Sequence, residues 1–227
     1  MREIVLDTET TGLSPAQGDR LVEIGCVELV NRFVTGRHYH TYINPHRDMP
    51  AGAFAVHGLS AEFLADKPSF SAVTADFLAF IGDDPLVIHN ADFDMGFINA
   101  ELERAGLARL PSERAVNTLI LARRKHPGVS NRLDDLCQRY GIDNSRRTKH
   151  GALLDAELLA EVYIELVGGR QTSMSLDRGP ASERELASTR KPRSAAPVHL
   201  LTQDDMDAHT AFIATLGEKA VWKKYTD

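Results

Sequence analysis

The sequence has few of the features that mark secreted, membrane or zinc-binding proteins. Only two cysteines, Cys26 and Cys137, occur among its 227 residues. They are too few for a disulfide framework or a zinc ribbon, so we expect buried free thiols. No apolar run approaches the roughly 18 residues that cross a bilayer. The first residues, MREIVLDTET, contain neither the apolar stretch nor the cleavage site of a signal peptide, which predicts a cytoplasmic protein.

Positive charge is also scarce, because the formal net charge is −6. A protein that coats a nucleic acid backbone usually offers a basic surface, so this balance argues against such a role. It is compatible with an enzyme whose positive charge is supplied by bound metal ions. The length allows one domain of ordinary size and an appendage.

The apolar pattern predicts an α/β domain over residues 1–168. The first strand, REIVLD, is followed by two strands that should pair as antiparallel neighbours, with a turn at Thr35-Gly36. Short strands then alternate with helices, one of which has Ser60 as its predicted N-cap. This order implies a mixed β-sheet flanked by helices on both faces.

Two segments of different composition follow this domain. Residues 169–200 are rich in Ser, Arg, Ala and Pro and have few large apolar side chains, which is typical of a flexible linker. Residues 201–227 regain a helical pattern, with Thr202 as the predicted N-cap and Asp205 completing a capping box. We therefore expect a flexible linker and a C-terminal helical tail after the folded domain.

Acidic and hydroxyl side chains end the first strand. Asp7 and Glu9 share one face, since side chains two apart on a strand point the same way. The two carboxylates repel each other unless a positive charge lies between them, although two solvated acids are the simpler interpretation of this pair alone. Thr10-Thr11-Gly12 follows at once, and a glycine with flanking hydroxyls lets the backbone approach a ligand closely.

A second acidic segment is HNADFDMGF, residues 89–97, where a strand leads into a helix. Open α/β sheets bind their ligands at such places. Asp94 lies among core-facing residues and needs a partner for its charge, so we assign it to chemistry. We assign Asp92 to capping the helix. The alternative is that both acids only favour the helix N-terminus.

A third segment is KHGALLDAELL, residues 149–159. His150 precedes an amphipathic helix, and Asp155 lies in its first turns. A spacing of five places two residues on different faces of a regular helix. The two side chains therefore converge only if His150 stands in the loop before the helix. A surface histidine and a solvated acidic face are the alternatives.

These segments belong to elements that end at one edge of the predicted sheet. Carboxylates suit hard divalent cations such as Mg²⁺ or Mn²⁺, which prefer oxygen ligands. Two ions about 4 Å apart stabilise both the attacking and the leaving oxygen in phosphodiester hydrolysis. Histidine titrates near neutrality, so His150 can take the proton of the attacking water. The candidate site consists of Asp7, Glu9, Asp94, His150 and Asp155.

The motifs DTETTG, HNADFDMGF and HGALLDA resemble the three exonuclease motifs of the DEDDh superfamily, whose members have a ribonuclease H-like fold. The resemblance extends in order and spacing from Arg2 to about Val167 and includes FAVHGL, residues 54–59. It implies 3′→5′ exonuclease activity that depends on two divalent cations, Mg²⁺ or Mn²⁺, with His150 as general base. The implied metal ligands are Asp7, Glu9, Asp94 and Asp155.

The resemblance also implies residues that contact the terminal nucleotide. In the family, residues around the first motif and the Val-His-Gly loop hold this nucleotide. The matching positions here are Thr10, Thr11, Val56, His57 and Phe93. Val56 and Phe93 could stack on or flank a base, which is sequence-tolerant recognition; ordinary core packing is the alternative.

Within the superfamily the chain is most similar to the proofreading subunits of bacterial replicative DNA polymerases. QTSMSL, residues 171–176, resembles the peptide with which replication proteins bind the sliding clamp, the beta subunit. Its anchors are Gln171, Met174 and Leu176. The last segment, with Trp222 and Tyr225, is similar to the tail that binds the polymerase alpha subunit. The implied substrate is a mispaired DNA 3′ end. A free-standing nuclease that trims RNA or DNA ends and a non-catalytic adaptor remain alternatives.

Overall fold

The computed structural model describes residues 1–147, 149–168, 202–217 and 221. The chain divides into two compact units, Met1–Ser173 and Met174–Asp227. The first unit contains the sheet. The predicted linker, residues 169–200, lies outside the described residues, so the proposed domain boundaries stay a prediction.

The first unit is built on one mixed sheet of five strands, in the order β3-β2-β1-β4-β5. β1, β2 and β3 pair antiparallel, whereas β4 runs parallel to β1 and β5 runs parallel to β4. The predicted mixed sheet is confirmed. The strands are β1 (Arg2–Thr10), β2 (Leu21–Val30), β3 (Phe33–Tyr42), β4 (Leu86–Ile88) and β5 (Ala115–Asn117).

Helices occupy most of the remaining described chain, and two of the predicted N-caps are confirmed. The Ser60 hydroxyl accepts a hydrogen bond from the Phe63 N–H at 3.1 Å, and Thr202 with Asp205 forms a capping box. None of the described helices has both the length and the apolar character needed to cross a bilayer. The helices are α1 (Ala51–His57), α2 (Ala61–Leu64), α3 (Phe70–Ile81), α4 (Ala91–Arg104), α5 (Thr118–Lys125), α6 (Leu133–Tyr140), α7 (Ala152–Leu166) and α8 (Gln203–Thr215).

Helices cover both faces of the sheet, as predicted. Ile4 and Leu6 of β1 belong to a core cluster that includes Phe77 of α3 and Phe97 of α4. Val5, which points the other way, belongs to a second cluster formed with α7. The period of two along β1 therefore directs its odd-numbered residues toward α7.

The two cysteines, Cys26 and Cys137, are buried free thiols, as expected.

The hairpin between β2 and β3 turns at Asn31-Arg32, so the turn predicted at Thr35-Gly36 was wrong. Asn31 and Arg32 have φ values of 51° and 68°. Positive φ at both central residues gives a two-residue turn whose twist matches that of the flanking strands. Gly36 instead lies inside β3 with φ of 85°, opposite a shift in the β2–β3 register between Val27 and Leu29.

A glycine in β2 allows α7 to lie directly against the sheet. A Cβ atom added to Gly25 would lie only 2.3 Å from the Ala152 backbone, at the start of α7. Gly25 is also the partner of Asp7 in the β1–β2 register. The missing side chain therefore brings the first turn of α7, which carries Asp155, close to the acidic end of β1.

Candidate active site

A cleft of about 840 Å³ opens where β1 and β4 end and α4 and α7 begin. Its lining combines residues from several segments that are far apart in sequence. All five side chains of the candidate site predicted above line this cleft: Asp7, Glu9, Asp94, His150 and Asp155.

The two acids of β1 lie in surroundings that oppose their ionisation. Burial raises the pKa of Glu9 to about 8, with further contributions from the carboxylates of Asp155 and Glu23. Burial also raises the pKa of Asp7 well above its usual range, and the nearby Asp94 and Asp155 add to this shift. Both carboxylates therefore lack the positive charge that would hold them ionised at neutral pH.

Asp94 is buried in the first turn of α4, and Asp92 beside it is exposed. Burial raises the pKa of Asp94 to about 7, although the Thr8 hydroxyl partly offsets this by donating a hydrogen bond to Asp94 Oδ1 at 2.7 Å. The sequence did not indicate Thr8, which lies between the two acids of β1. Its even-numbered position directs it away from α7, toward α4.

Asp92 does not cap α4, so its predicted role was wrong. The N-cap position is occupied by Asn90, whose backbone is left-handed with φ of 65° and whose side chain makes no capping hydrogen bond. The helix begins at Ala91, which leaves Asp92 inside the first turn. There its carboxylate interacts favourably with the positive end of the helix dipole.

His150 stands in the loop before α7, the only arrangement in which it could meet Asp155. Its Nδ1 atom lies 3.3 Å from Oδ2 of Asp155. Glu9, His150 and Asp155 each direct one potential ligand atom to a common region, with all three atoms within 4.8 Å of one another. The His150 ring is about half exposed, and the Asp155 carboxylate is buried.

An inward-facing arginine, which the sequence did not indicate, pairs with this acid. Arg147 donates from Nε and Nη2 to the two oxygens of Asp155, at 2.5 and 2.6 Å. Burial raises the pKa of Asp155, but the hydrogen bonds from Arg147 and the adjacent His150 ring outweigh this effect and hold it below its usual range. The preceding residue, Arg146, is exposed. The adjacent arginines in the sequence gave no sign of which one turns inward.

Basic and apolar groups also line the cleft. They are Arg123 of α5 and Arg132 before α6, together with Leu119 and Val129. These positions were also missed, because they belong to none of the three acidic segments. They give an acidic protein a local positive surface beside its carboxylates.

Of the residues predicted to hold a nucleotide, Phe93 lines the cleft. Its ring centroid lies 5.0 Å from that of Phe97, so the aromatic face is supported from the core. Thr10 and Thr11 are buried, and their hydroxyls bind the adjoining loop. Thr10 donates to the Gly12 carbonyl at 2.6 Å, and Thr11 accepts from the Arg20 N–H at 3.0 Å.

Val56 and His57 lie at the end of α1 and are not among the residues that line the cleft. The Val56 carbonyl accepts a hydrogen bond from the His150 N–H at 3.2 Å, so α1 contacts the histidine loop. His57 is buried, and its Nδ1 accepts from the Leu59 N–H at 3.1 Å.

The predicted contacts with partner proteins fall outside the described residues. This applies to the clamp-binding positions Gln171, Met174 and Leu176 and to the polymerase-binding positions Trp222 and Tyr225.

The side chains of the cleft fit divalent metal ions. Carboxylate oxygens dominate the donor set, and one imidazole is available, a combination that suits hard cations better than zinc. The raised pKa values of Glu9 and Asp94 are the electrostatic sign of negative charge that the protein itself leaves uncompensated.

Known proteins resemble this chain in sequence over almost its entire length. The family model described as Exonuclease matches residues 4–163. DNA polymerase III subunit epsilon of Rickettsia felis is 48% identical over 222 residues, covering 95% of this chain and 97% of the relative. The protein of the same name from Escherichia coli is 42% identical over 237 residues, covering 98% of this chain and 97% of the relative.

Solved exonuclease structures share the fold of the first unit. Exonuclease X in complex with 5′ overhanging duplex DNA superposes with a TM-score of 0.58 at 25% identity, covering 74% of this chain and 92% of that one. Exonuclease I reaches a TM-score of 0.63 at 19% identity, covering 75% and 41% of the two chains; at this identity the likeness concerns the fold alone. Together with the sequence matches, these findings place the chain in the exonuclease family, among the epsilon subunits of DNA polymerase III.

Proposed function

We propose that this chain is the proofreading 3′→5′ exonuclease subunit of DNA polymerase III and removes mispaired 3′-terminal nucleotides from DNA. The observation that carries the proposal is the convergence of four carboxylates and one histidine in a single cleft, in a chain that belongs to the epsilon family. A free-standing nuclease has no need of the predicted linker and tail. A non-catalytic adaptor has no need of the four carboxylates and the histidine.

The carboxylates of Asp7, Glu9, Asp94 and Asp155 hold two divalent cations, Mg²⁺ or Mn²⁺, in this proposal. When bound, the ions supply the positive charge that stabilises the attacking and leaving oxygens. His150 accepts the proton of the attacking water at a ring nitrogen, because its ring stands beside Asp155 and reaches solvent. Imidazole is the side chain that most often serves as a general base in enzymes.

The remaining lining residues hold and position the strand. Phe93 stacks on the terminal base, and the backbone around Thr10, Thr11, Val56 and His57 encloses the nucleotide. Arg123 and Arg132, which also line the cleft, neutralise phosphates of the preceding nucleotides. Stacking accepts any base, so this site does not distinguish one terminal base from another. What it distinguishes is a frayed 3′ end from a paired one.

The catalytic test uses the purified chain and a 3′-labelled primer annealed to a template, with Mg²⁺ or Mn²⁺. The primer terminus is either matched or mispaired, and RNA of the same sequence is the second substrate. We expect faster release of 5′-mononucleotides from the mispaired DNA end. Equal rates on matched and mispaired ends, or a preference for RNA, would contradict a proofreading role and favour the free-standing nuclease.

Tethering brings the enzyme to its substrate in this proposal, because an acidic protein has little long-range attraction for DNA. The segment with Gln171, Met174 and Leu176 binds the sliding clamp, and the tail with Trp222 and Tyr225 binds the alpha subunit, in the cytoplasm. Two modest contacts on one chain bind far more tightly than either alone.

Pull-down tests this tether with full-length variants. Gln171→Ala combined with Leu176→Ala should lose the clamp, Trp222→Ala should lose the alpha subunit, and both proteins should cleave free single strands at the normal rate. Normal retention of the alpha subunit by Trp222→Ala would remove this residue from the tether.

A further inference from the structure

Arg147 binds the two groups that the proposed reaction needs free. Its guanidinium donates to both oxygens of Asp155, at 2.5 and 2.6 Å, and Nη2 lies 2.8 Å from Nδ1 of His150. The Arg147 side chain is only 7% exposed. Through these contacts Arg147 engages both a proposed metal ligand, Asp155, and the proposed base, His150.

The contact with His150 determines which ring nitrogen carries the proton. Nδ1 also lies 3.3 Å from Oδ2 of Asp155, but Nη2 of Arg147 is closer, and a guanidinium has only N–H donors, so in the neutral ring this contact places the lone pair on Nδ1. A neutral imidazole has a single such nitrogen. The lone pair that would accept the proton of the attacking water is therefore directed at Arg147 in this arrangement. His150 can act as a base only after Arg147 has moved away.

A second carboxylate is available to Arg147 when it leaves Asp155. Its Nη1 already donates to Oδ2 of Asp134 at 2.6 Å. Asp134 is therefore the third residue that this guanidinium contacts. The Asp134 side chain is 55% exposed and belongs to α6, on the cleft wall. Pairing with Asp134 alone would keep the arginine charge in the cleft without engaging Asp155 or His150.

We propose that Arg147 competes with a divalent cation for Asp155 and thereby works as a latch. In the latched arrangement Arg147 holds Asp155 and His150. In the released arrangement it pairs with Asp134, which leaves Asp155 to the cation and the His150 lone pair to the water. The proposal rests on the function given above in taking Asp155 as a metal ligand and His150 as the base.

Calorimetric titration with Mn²⁺, in the absence of DNA, tests the competition on the full-length chain. We expect Arg147→Met to bind Mn²⁺ about tenfold more tightly than the natural chain, because the competitor is gone. Arg146→Met is the matched control: it removes the same side chain from the adjacent exposed position and should leave the affinity within about twofold. The melting temperature in EDTA should fall for Arg147→Met and recover with Mn²⁺.

Arg147→Lys separates competition from simple charge repulsion and also guards against misfolding of the methionine variant. Lysine keeps the positive charge but cannot bind both carboxylate oxygens in a fork. Competition therefore predicts that Arg147→Lys binds Mn²⁺ several-fold more tightly than arginine does. Equal Mn²⁺ affinity of the lysine and arginine proteins would show that charge repulsion alone explains the effect. Weaker Mn²⁺ binding by both variants would show that Arg147 supports Asp155 as a metal ligand. Either result overturns the latch.

Nitrogen NMR of the histidine rings provides a readout that is independent of hydrolysis. With ¹⁵N-labelled histidine, Nδ1 of His150 should carry the lone pair in the ion-free protein, and its signal should change when Mg²⁺ is added. In Arg147→Met the ion-free signal should already differ from that of the natural chain. A His150 signal unaffected by both changes would contradict the latch. If the latch is verified while the primer assay fails, only the proposed proofreading function is lost.

Discussion

Buried acids lie near both ends of β1, but Glu28, beside the first end, is paired with arginines, whereas Glu9 at the other end lies among carboxylates. At the first end, Glu28 of β2 accepts hydrogen bonds from Arg2 at 2.5 Å and from Arg37 at 2.9 Å. The hydrogen bond from Arg2 holds the pKa of Glu28 below its usual range despite its burial. At the other end, burial and neighbouring carboxylates raise the pKa of Glu9 to about 8.

This difference separates acids that serve the fold from acids that serve the site. The fold can supply arginines to a buried carboxylate, as it does for Glu28, and a buried ion that lost its partner would destabilise the protein. Where the chain leaves several acids together without enough positive charge, it accepts a cost in stability that a bound cation removes. Asp155 is intermediate, because its positive partner is Arg147, whose side chain we propose to move away when a cation binds.

The largest effect should come from removing an acid of the uncompensated end. Asp94→Asn should lower hydrolysis by more than the roughly 10–100-fold typical of residues that only support a metal ligand. Its melting temperature in EDTA should be unchanged or higher, because repulsion in the site is relieved. Asp92→Asn, which alters the exposed acid two residues earlier, is the matched control and should retain activity. Near-normal activity of Asp94→Asn with an inactive Asp92→Asn would reverse our assignment of the two acids.

A smaller effect should follow from moving α7 relative to β1. Gly25→Ala introduces a methyl group 2.3 Å from the Ala152 backbone, and overpacking of this kind costs about 1–3 kcal/mol. We expect this loss in urea unfolding, together with weaker Mn²⁺ binding, because Asp155 moves with the helix. Gly96→Ala, in α4 where an added Cβ has no neighbour within 4 Å, is the control. Unchanged Mn²⁺ affinity of Gly25→Ala would show that the close approach does not position Asp155.

The smallest effect concerns the pH dependence of stability in EDTA. The pKa of Glu9 is raised from 4.5 to about 8 and that of Asp94 from 3.8 to about 7, so the folded protein binds these protons more tightly than the unfolded chain. Their contribution to stability is complete below pH 4 and is lost as the pH rises toward 8. Glu28 has the opposite sign: its lowered pKa gives a contribution that is present above pH 4.5 and lost on acidification.

Melting curves between pH 3.5 and 9 distinguish the two ends of the strand. Glu9→Gln should flatten the loss of stability toward alkaline pH, whereas Glu28→Gln should flatten the loss toward acid pH. The same alkaline slope for Glu9→Gln and the natural chain would show that Glu9 ionises normally in the folded protein.

Periodicity alone predicted most of the fold. Alternation along β1 and the N-caps at Ser60 and Thr202 are local properties, and each depends on residues that are neighbours in the chain. The two wrong predictions concern the exact point at which the chain turns or a helix begins. The β2–β3 turn settled at Asn31-Arg32 because strand pairing favours a short turn of the right twist. Asp92 lost the capping role because α4 begins at Ala91.

The sequence by itself determined which acids and which histidine could take part in chemistry. Their residue types and their positions at the ends of strands and helices follow from the local sequence. Only the tertiary structure decided how their charges are balanced. Thr8 reaches Asp94 across 86 positions, and Arg147 turns inward while Arg146 stays exposed. The pKa of a carboxylate depends on what lies within a few ångströms of it, and those neighbours come from strands and helices that meet only in the folded protein.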